Sequence, residues 1–113
     1  MSNKLAIPKQ LAKTTTEGMG PEVIYTSPAQ GAGTVISAVT VSNNTLQDHY
    51  YLAYIGKGYD IDDPIIPDTT IKSKRTDPAA ELVGQVIPPG HSLWFEDPYH
   101  VLLFTVSGRE LLP

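Results

Sequence analysis

Residues 21–43 read PEVIYTSPAQGAGTVISAVTVSN, and residues 83–108 read VGQVIPPGHSLWFEDPYHVLLFTVSG. In both stretches, short runs of Val, Ile, Thr, Leu and aromatic residues are punctuated by Pro and Gly. Almost no charge lies inside the runs. Residues 34–43 carry the strongest signal, because β-branched side chains suit a pleated, half-buried surface and the polarity alternates with a period of two. On that period Val35, Val39 and Val41 share a face with Ser37 and Asn43, while Thr34, Ile36, Ala38, Thr40 and Ser42 share the other. A chain built this way forms antiparallel strands, not helices.

Working outward, residues 22–27 form a first strand with Val23 and Tyr25 on one face and Ile24 and Thr26 on the other. Residues 28–33 (PAQGAG) turn the chain, since Pro and Gly supply the backbone angles a turn needs. Residues 43–48 (NNTLQD) make a second turn from side chains that bond their own backbone. Residues 49–55 follow as an aromatic strand, with Tyr50, Leu52 and Tyr54 opposite His49, Tyr51, Ala53 and Ile55. Strands are also expected at residues 81–87, at residues 92–96 around Trp94, and at residues 101–107. The last run, VLLFTVS, is apolar enough for burial on both faces, with a bulge at Gly108 before residues 109–112.

Two segments break the pattern. Residues 1–20 carry Lys4, Lys9 and Lys13 against Glu17, with Leu5, Ile7 and Leu11 as apolar teeth, and Pro8 stops any helix. They are expected to form an extended arm that orders on a neighbouring subunit; a mobile tail or an edge strand are the other outcomes. Residues 56–79 hold three prolines, two glycines and nine charges, which leaves only 65–66 and 69–71 able to pair briefly. Loops of this length are usually functional. The expected organisation is therefore an arm over 1–20 and one β-sandwich over 21–113, jelly-roll or immunoglobulin-like, with an excursion at 56–79.

Composition narrows the function. The 113 residues fit one domain, the formal charge is −4, and there is no cysteine. Disulfide frameworks and thiolate metal sites are excluded. An acidic chain has no global field for nucleic acid. No apolar run approaches the roughly 18 residues of a membrane helix, and no secretory leader is evident, so synthesis in a cytoplasm is expected. Charged residues make up only 18%, which suggests a surface partly covered by a partner.

Motifs for chemistry are weak. Asp60, Asp62, Asp63 and Asp68 lack the mid-loop glycine and closing glutamate of a helix–loop–helix calcium site. His91 and His100 flank one hairpin, but His49 has no evident relation to them, and zinc needs convergent nitrogens. Ser92 beside His91 is adjacency without a nucleophile elbow. Neighbouring Glu96 and Asp97 point apart at a strand end. No enzyme activity and no cofactor are expected. The basic knot Lys72, Lys74 and Arg75 suits contact with an acidic protein surface better than a nucleic acid, and a plain solubilising role better still. Tyr50, Tyr51, Tyr54, Tyr59, Trp94 and Tyr99 could form a sugar-binding platform if stacked on one sandwich face; Tyr50 and Tyr54 lie opposite Tyr51, which places most of them in the core.

The order of residues 23–28, 34–45, 87–95 and 101–108 resembles a group of small β-sandwich virion accessory proteins of tailed bacteriophages, and the match covers roughly half of the chain. Members of that group are structural proteins of head, neck or tail, and several are capsid decoration or cement proteins. The resemblance implies a non-enzymatic protein on the outer capsid surface whose partner is the major capsid protein. It carries over no catalytic residue. A homotrimer at local threefold points is the expected oligomer. Lys4, Leu5, Ile7, Lys9, Leu11 and Lys13 of the arm, with Tyr59, Ile65, Ile66, Ile71, Lys72, Lys74 and Arg75 of the excursion, are the expected partner interface. The alternatives are a neck, tail or baseplate accessory or fibre protein, and a carbohydrate-binding module.

Overall fold

The computed structural model describes residues 6–18, 20–58 and 65–113. Regular structure among them is all strand, apart from one 3-10 turn at Ala80–Leu82. The strands are β1 (Ala6–Thr14), β2 (Pro21–Thr26), β3 (Thr34–Asn43), β4 (His49–Gly56), β5 (Ile66–Ile71), β6 (Thr76–Asp77), β7 (Val86–Ile87), β8 (Ser92–Glu96) and β9 (Leu102–Leu111). They make two sheets in which every pairing is antiparallel. The first orders its strands β1-β9-β3-β6, with short β7 also on β3; the second is ordered β2-β8-β4-β5. The chain passes repeatedly from one sheet to the other, so sequence neighbours rarely pair.

The core lies between the sheets. Ile36, Val39 and Val41 of β3 and Leu102, Phe104 and Val106 of β9 face Tyr51 and Ala53 of β4 and Leu93 and Phe95 of β8. Phe95 and Phe104 stack across the gap with centroids 4.2 Å apart, and Tyr51 sits 6.0 Å from Phe95 and 6.1 Å from Phe104. Such aromatic contacts add about 0.5–1.5 kcal/mol each beyond the area they bury. The β9 strand alternates fully buried with half-buried residues instead of being buried on both faces.

Four bulges decide which side chains reach this core. In β3, Ile36 pairs Gly108 and Ala38 pairs Ser107, so Ser37 is extra and the alternation changes phase. Thr34 and Ile36 are buried before it, and Val39, Val41 and Asn43 after it, which replaces the expected division of faces. In β2 the extra residue is Ile24; Val23 turns outward, while Ile24 and Tyr25 both pack on the core. In β5 the step from Thr69 to Ile66 against Tyr51 and Ala53 lets two isoleucines five residues apart both point inward. In β1 the extra residue is Leu11, opposite the same stretch of β9 as Ser37. A Cβ on Gly108 would lie 2.4 Å from the Val35 carbonyl oxygen and 2.9 Å from Leu11 Cδ1. Glycine thus lets both bulged neighbours approach, and the bulges belong to β1 and β3, not to β9 itself.

Three expected segments differ. Residues 6–14, expected within the arm, pair with β9 from Ala6↔Leu111 to Thr14↔Phe104 and form the sheet edge. The outer edge of β9 would otherwise expose a row of unpaired backbone groups. Pro8, which has no N–H, is tolerated on such an edge. The described part of the 56–79 excursion supplies β5 and β6, one edge strand for each sheet. Residues 81–87 hold part of the 3-10 turn and only the two-residue β7, because Gly84, at φ 89, breaks the strand.

Candidate interaction surface

Four connections gather at one end of the sandwich: the described residues 15–18 and 20, and residues 44–48, 72–75 and 97–101. Asn43, the last residue of β3, organises two of them. It is fully buried, and its side-chain amide donates to the Gln47 carbonyl at 2.8 Å and the Ile71 carbonyl at 2.9 Å. Its side-chain oxygen accepts from the Thr45 amide at 3.0 Å and the Thr45 hydroxyl at 2.7 Å. Both halves of the amide are therefore used, which neither Asp nor a hydroxyl reproduces. The Asn43 backbone amide donates to the Arg75 carbonyl at 2.9 Å.

The two loops are also braced directly. The Ser73 amide donates to Asp48 Oδ1 at 3.0 Å, the Ser73 hydroxyl to the Thr45 carbonyl at 3.0 Å, and Lys74 Nζ to the Asn44 carbonyl at 2.8 Å. Loop 97–101 joins through His49, whose ring lies 5.3 Å from that of Tyr99. Asp97 shapes this loop. Its carboxylate Oδ2 accepts from the Leu102 amide at 2.8 Å, and its carbonyl from the His100 amide at 2.9 Å and the Thr16 hydroxyl at 3.4 Å. Lys74 (φ 60) and His100 (φ 42) hold left-handed backbone, a conformation that costs a non-glycine residue about 1 kcal/mol or more.

On this frame stand two of the most exposed large apolar side chains, Leu46 at 84% and Tyr99 at 60%. Beside them Lys72, Lys74 and Arg75 are all exposed. Sequence reasoning missed Leu46, and weighed Tyr99 only among the aromatics of a sugar-binding platform, not as part of this loop end. The available signal was an apolar residue inside a polar turn, Leu46 in NNTLQD and Tyr99 in DPYH.

The expected interface residues scatter. Lys72, Lys74 and Arg75 lie together at this end. Ile66 and Ile71 are 1% and 3% exposed, so these two are core residues and offer a partner nothing. Ile65 is half-buried, packs on the same core and donates its amide to the Ala53 carbonyl at 2.9 Å. Leu11, at its bulge, packs inward as well. Lys13 is exposed on β1. Lys9 forms an ion pair with Glu110 at 3.3 Å at the opposite end of the sheet. Ile7 lies in β1, and only its backbone is described. Lys4, Leu5 and Tyr59 lie outside the described residues, as do Asp60, Asp62 and Asp63.

At the opposite end, a polar relay links the sheets. The Tyr25 hydroxyl donates to Glu110 and lies 3.0 Å from the Thr34 hydroxyl, which lies 2.8 Å from that of Ser27. Burial first, and then Glu110, push the Tyr25 hydroxyl up to about 12. The Glu110 carboxyl is held below the usual carboxylate range, chiefly by the Tyr25 hydrogen bond. Tyr51 is similarly raised by burial and by its hydrogen bond to Asp77 at 2.6 Å. These groups anchor the fold. A shallow open pocket of about 250 Å³ lies beside the relay, lined by Pro28, Gln30, Glu110 and the C-terminal Leu112 and Pro113 among others.

The outer face of the second sheet carries a row in which Val23 pairs Trp94 and Trp94 pairs Tyr54. The Trp94 indole donates to the Gly56 carbonyl at 3.2 Å, and Tyr50, further along β4, is 36% exposed.

His91 and His100 sit before and after β8, at opposite ends of the sandwich, and do not approach each other. Ser92 shares a 2.8 Å hydrogen bond with Thr26, not with a histidine. Among the described residues no three His, Cys, Asp or Glu side chains converge as metal ligands, and no helix is long and apolar enough to cross a membrane. Compared with protein-family models, curated proteins and solved structures, the chain matches none.

Proposed function

We propose that this chain is a non-enzymatic structural protein of a tailed-phage virion: a jelly-roll decoration protein that bridges neighbouring major capsid protein subunits from the outer shell surface, as a trimer. The observation that carries the reading is the strand order. Leaving aside β7, the order β1-β9-β3-β6 facing β2-β8-β4-β5 supports reading the two sheets as an eight-stranded jelly roll, an architecture widely used in viral capsids. The likeness of the 23–28, 34–45, 87–95 and 101–108 stretches to phage accessory proteins points the same way. A braced loop end with exposed apolar anchors supplies a contact surface, and repetition of a modest contact over many copies gives a shell strong cohesion. The test is the copy number in purified particles, by quantitative mass spectrometry against the major capsid protein. A count in fixed ratio to that protein is expected. A count far below it moves the chain to the neck, tail or baseplate, and absence from particles ends the virion reading.

The Val23–Trp94–Tyr54 row favours a second reading, a carbohydrate-binding module, since flat aromatic rings pack on sugar faces and carry polar tips. Quenching or a shift of Trp94 fluorescence by neutral oligosaccharides tests it; an unchanged spectrum across a sugar panel removes it.

A further inference from the structure

Three loops at the end of the sandwich, 44–48, 72–75 and 97–101, share four properties that a solvated chain end does not need. They are braced against one another: Asn43, Thr45, Asp48, Ser73 and Lys74 tie the first two together and the His49–Tyr99 ring contact joins the third. They keep two non-glycine residues, Lys74 and His100, in left-handed backbone, and strain of this kind clusters where function holds it in place. They expose Leu46 at 84% and Tyr99 at 60%. They also concentrate exposed positive charge on a chain of net charge −4: loop 72–75 carries Lys72, Lys74 and Arg75, while the carboxylates of the three loops are the exposed Asp48 and the fully buried Asp97.

Resting on the structural reading above only for the expectation that the occupant belongs to a shell, we infer that this loop end is a docking surface for an acidic protein surface containing an apolar hollow. Leu46 and Tyr99 are the anchors that fill the hollow, and Lys72, Lys74 and Arg75 select and orient the acidic rim. The division of labour follows from the physics of interfaces. Buried apolar anchors carry the energy, while rim charges set register and encounter rate. Bracing lowers the entropy lost on binding, since the loops already hold their bound shape. A nucleic acid is disfavoured as occupant: the most exposed anchor is aliphatic and cannot stack on a base, and three cations are few for tracking a phosphate backbone.

The test uses the intact chain and an immobilised random glutamate–tyrosine copolymer, an acidic polypeptide with apolar rings. Polyglutamate, single-stranded DNA and vesicles of anionic lipid serve as comparison surfaces. The wild-type chain is expected to be retained on the copolymer more strongly than on the other three. Leu46→Ala and the triple change Lys72→Glu, Lys74→Glu, Arg75→Glu should each weaken retention by about tenfold or more. Val83→Ala and Arg109→Glu, exposed positions elsewhere, should leave it unchanged. Thermal melts followed by circular dichroism confirm that each variant is folded; Leu46→Asp supplies a second anchor variant. Equal or stronger retention on DNA or vesicles, equal losses from the control variants, or no retention of the wild type overturns the inference. The polymer assay contains no particle, so its failure and a failure of the copy-number test are separate results.

Discussion

Replacing Asn43 tests how the end of the fold is held. Its side chain makes four hydrogen bonds, two donated to carbonyls of Gln47 and Ile71 and two accepted from Thr45. Each is worth about 0.5–1.5 kcal/mol net, and a buried partner left unpaired costs more. Asn43→Ala removes all four and strands the Ile71 carbonyl inside the protein, so a loss of about 2–4 kcal/mol is expected. For a chain of this size that lowers the melting temperature by about 10 °C. Asn43→Asp is the sharper perturbation, because the shape is unchanged. It keeps the acceptor facing Thr45 but sets a carboxylate oxygen against two carbonyl oxygens. Repulsion raises the folded pKa of the new carboxyl above its unfolded value of about 3.9. A raised carboxyl pKa means that the folded variant binds the extra proton, so its stability relative to wild type is greatest at low pH and falls as pH rises from about 3.9 through the folded value. Urea unfolding followed by Trp94 fluorescence at several pH values measures both effects. If Asn43→Asp lies within about 0.5 kcal/mol of wild type at neutral pH, the described amide network is not what holds these loops.

Three further outcomes are expected. Gly108→Ala places a methyl 2.4 Å from the Val35 carbonyl oxygen, so β3 must move away from β9, at a cost of about 2 kcal/mol in urea unfolding; a neutral result would mean that the Ser37 bulge relaxes freely. Phe104→Ala removes the ring stacked on Phe95 and should cost about 3–5 kcal/mol with loss of the near-ultraviolet dichroism of the core, whereas a loss under about 1 kcal/mol would contradict the packing. Tyr25→Phe should flatten both limbs of the stability–pH curve. The depressed Glu110 carboxyl contributes stability that is present above its unfolded pKa, about 4.3, and is lost as pH falls through the folded value. The raised Tyr25 hydroxyl contributes stability that is present below pH about 10 and is lost as pH rises toward about 12. Superimposable curves for Tyr25→Phe and wild type would show that the relay does not couple to folding.

The sequence by itself determined that the protein is all-β, with strands at Thr34–Asn43, around His49–Gly56, at Ser92–Glu96 and near Leu102–Leu111. Those strands rest on β-branched runs and turn residues, which are local properties that survive any tertiary arrangement. The knot of Lys72, Lys74 and Arg75 was legible for the same reason. Only the tertiary structure decided which side chains face the core. A single extra residue at Ser37, Ile24 or Leu11 reverses the alternation, and whether a strand bulges depends on the neighbour it pairs with, not on its own period. Gly108 illustrates this: read alone it marks a bulge in its own strand, but its missing Cβ makes room for the bulges of two others. Long-range pairing likewise turned residues 6–14 from an arm into an edge strand and buried Ile66 and Ile71. The loop end was beyond reach of the sequence for a geometric reason. Residues 44–48, 72–75 and 97–101 are distant along the chain, and they meet only because the strands before and after them alternate between two facing sheets.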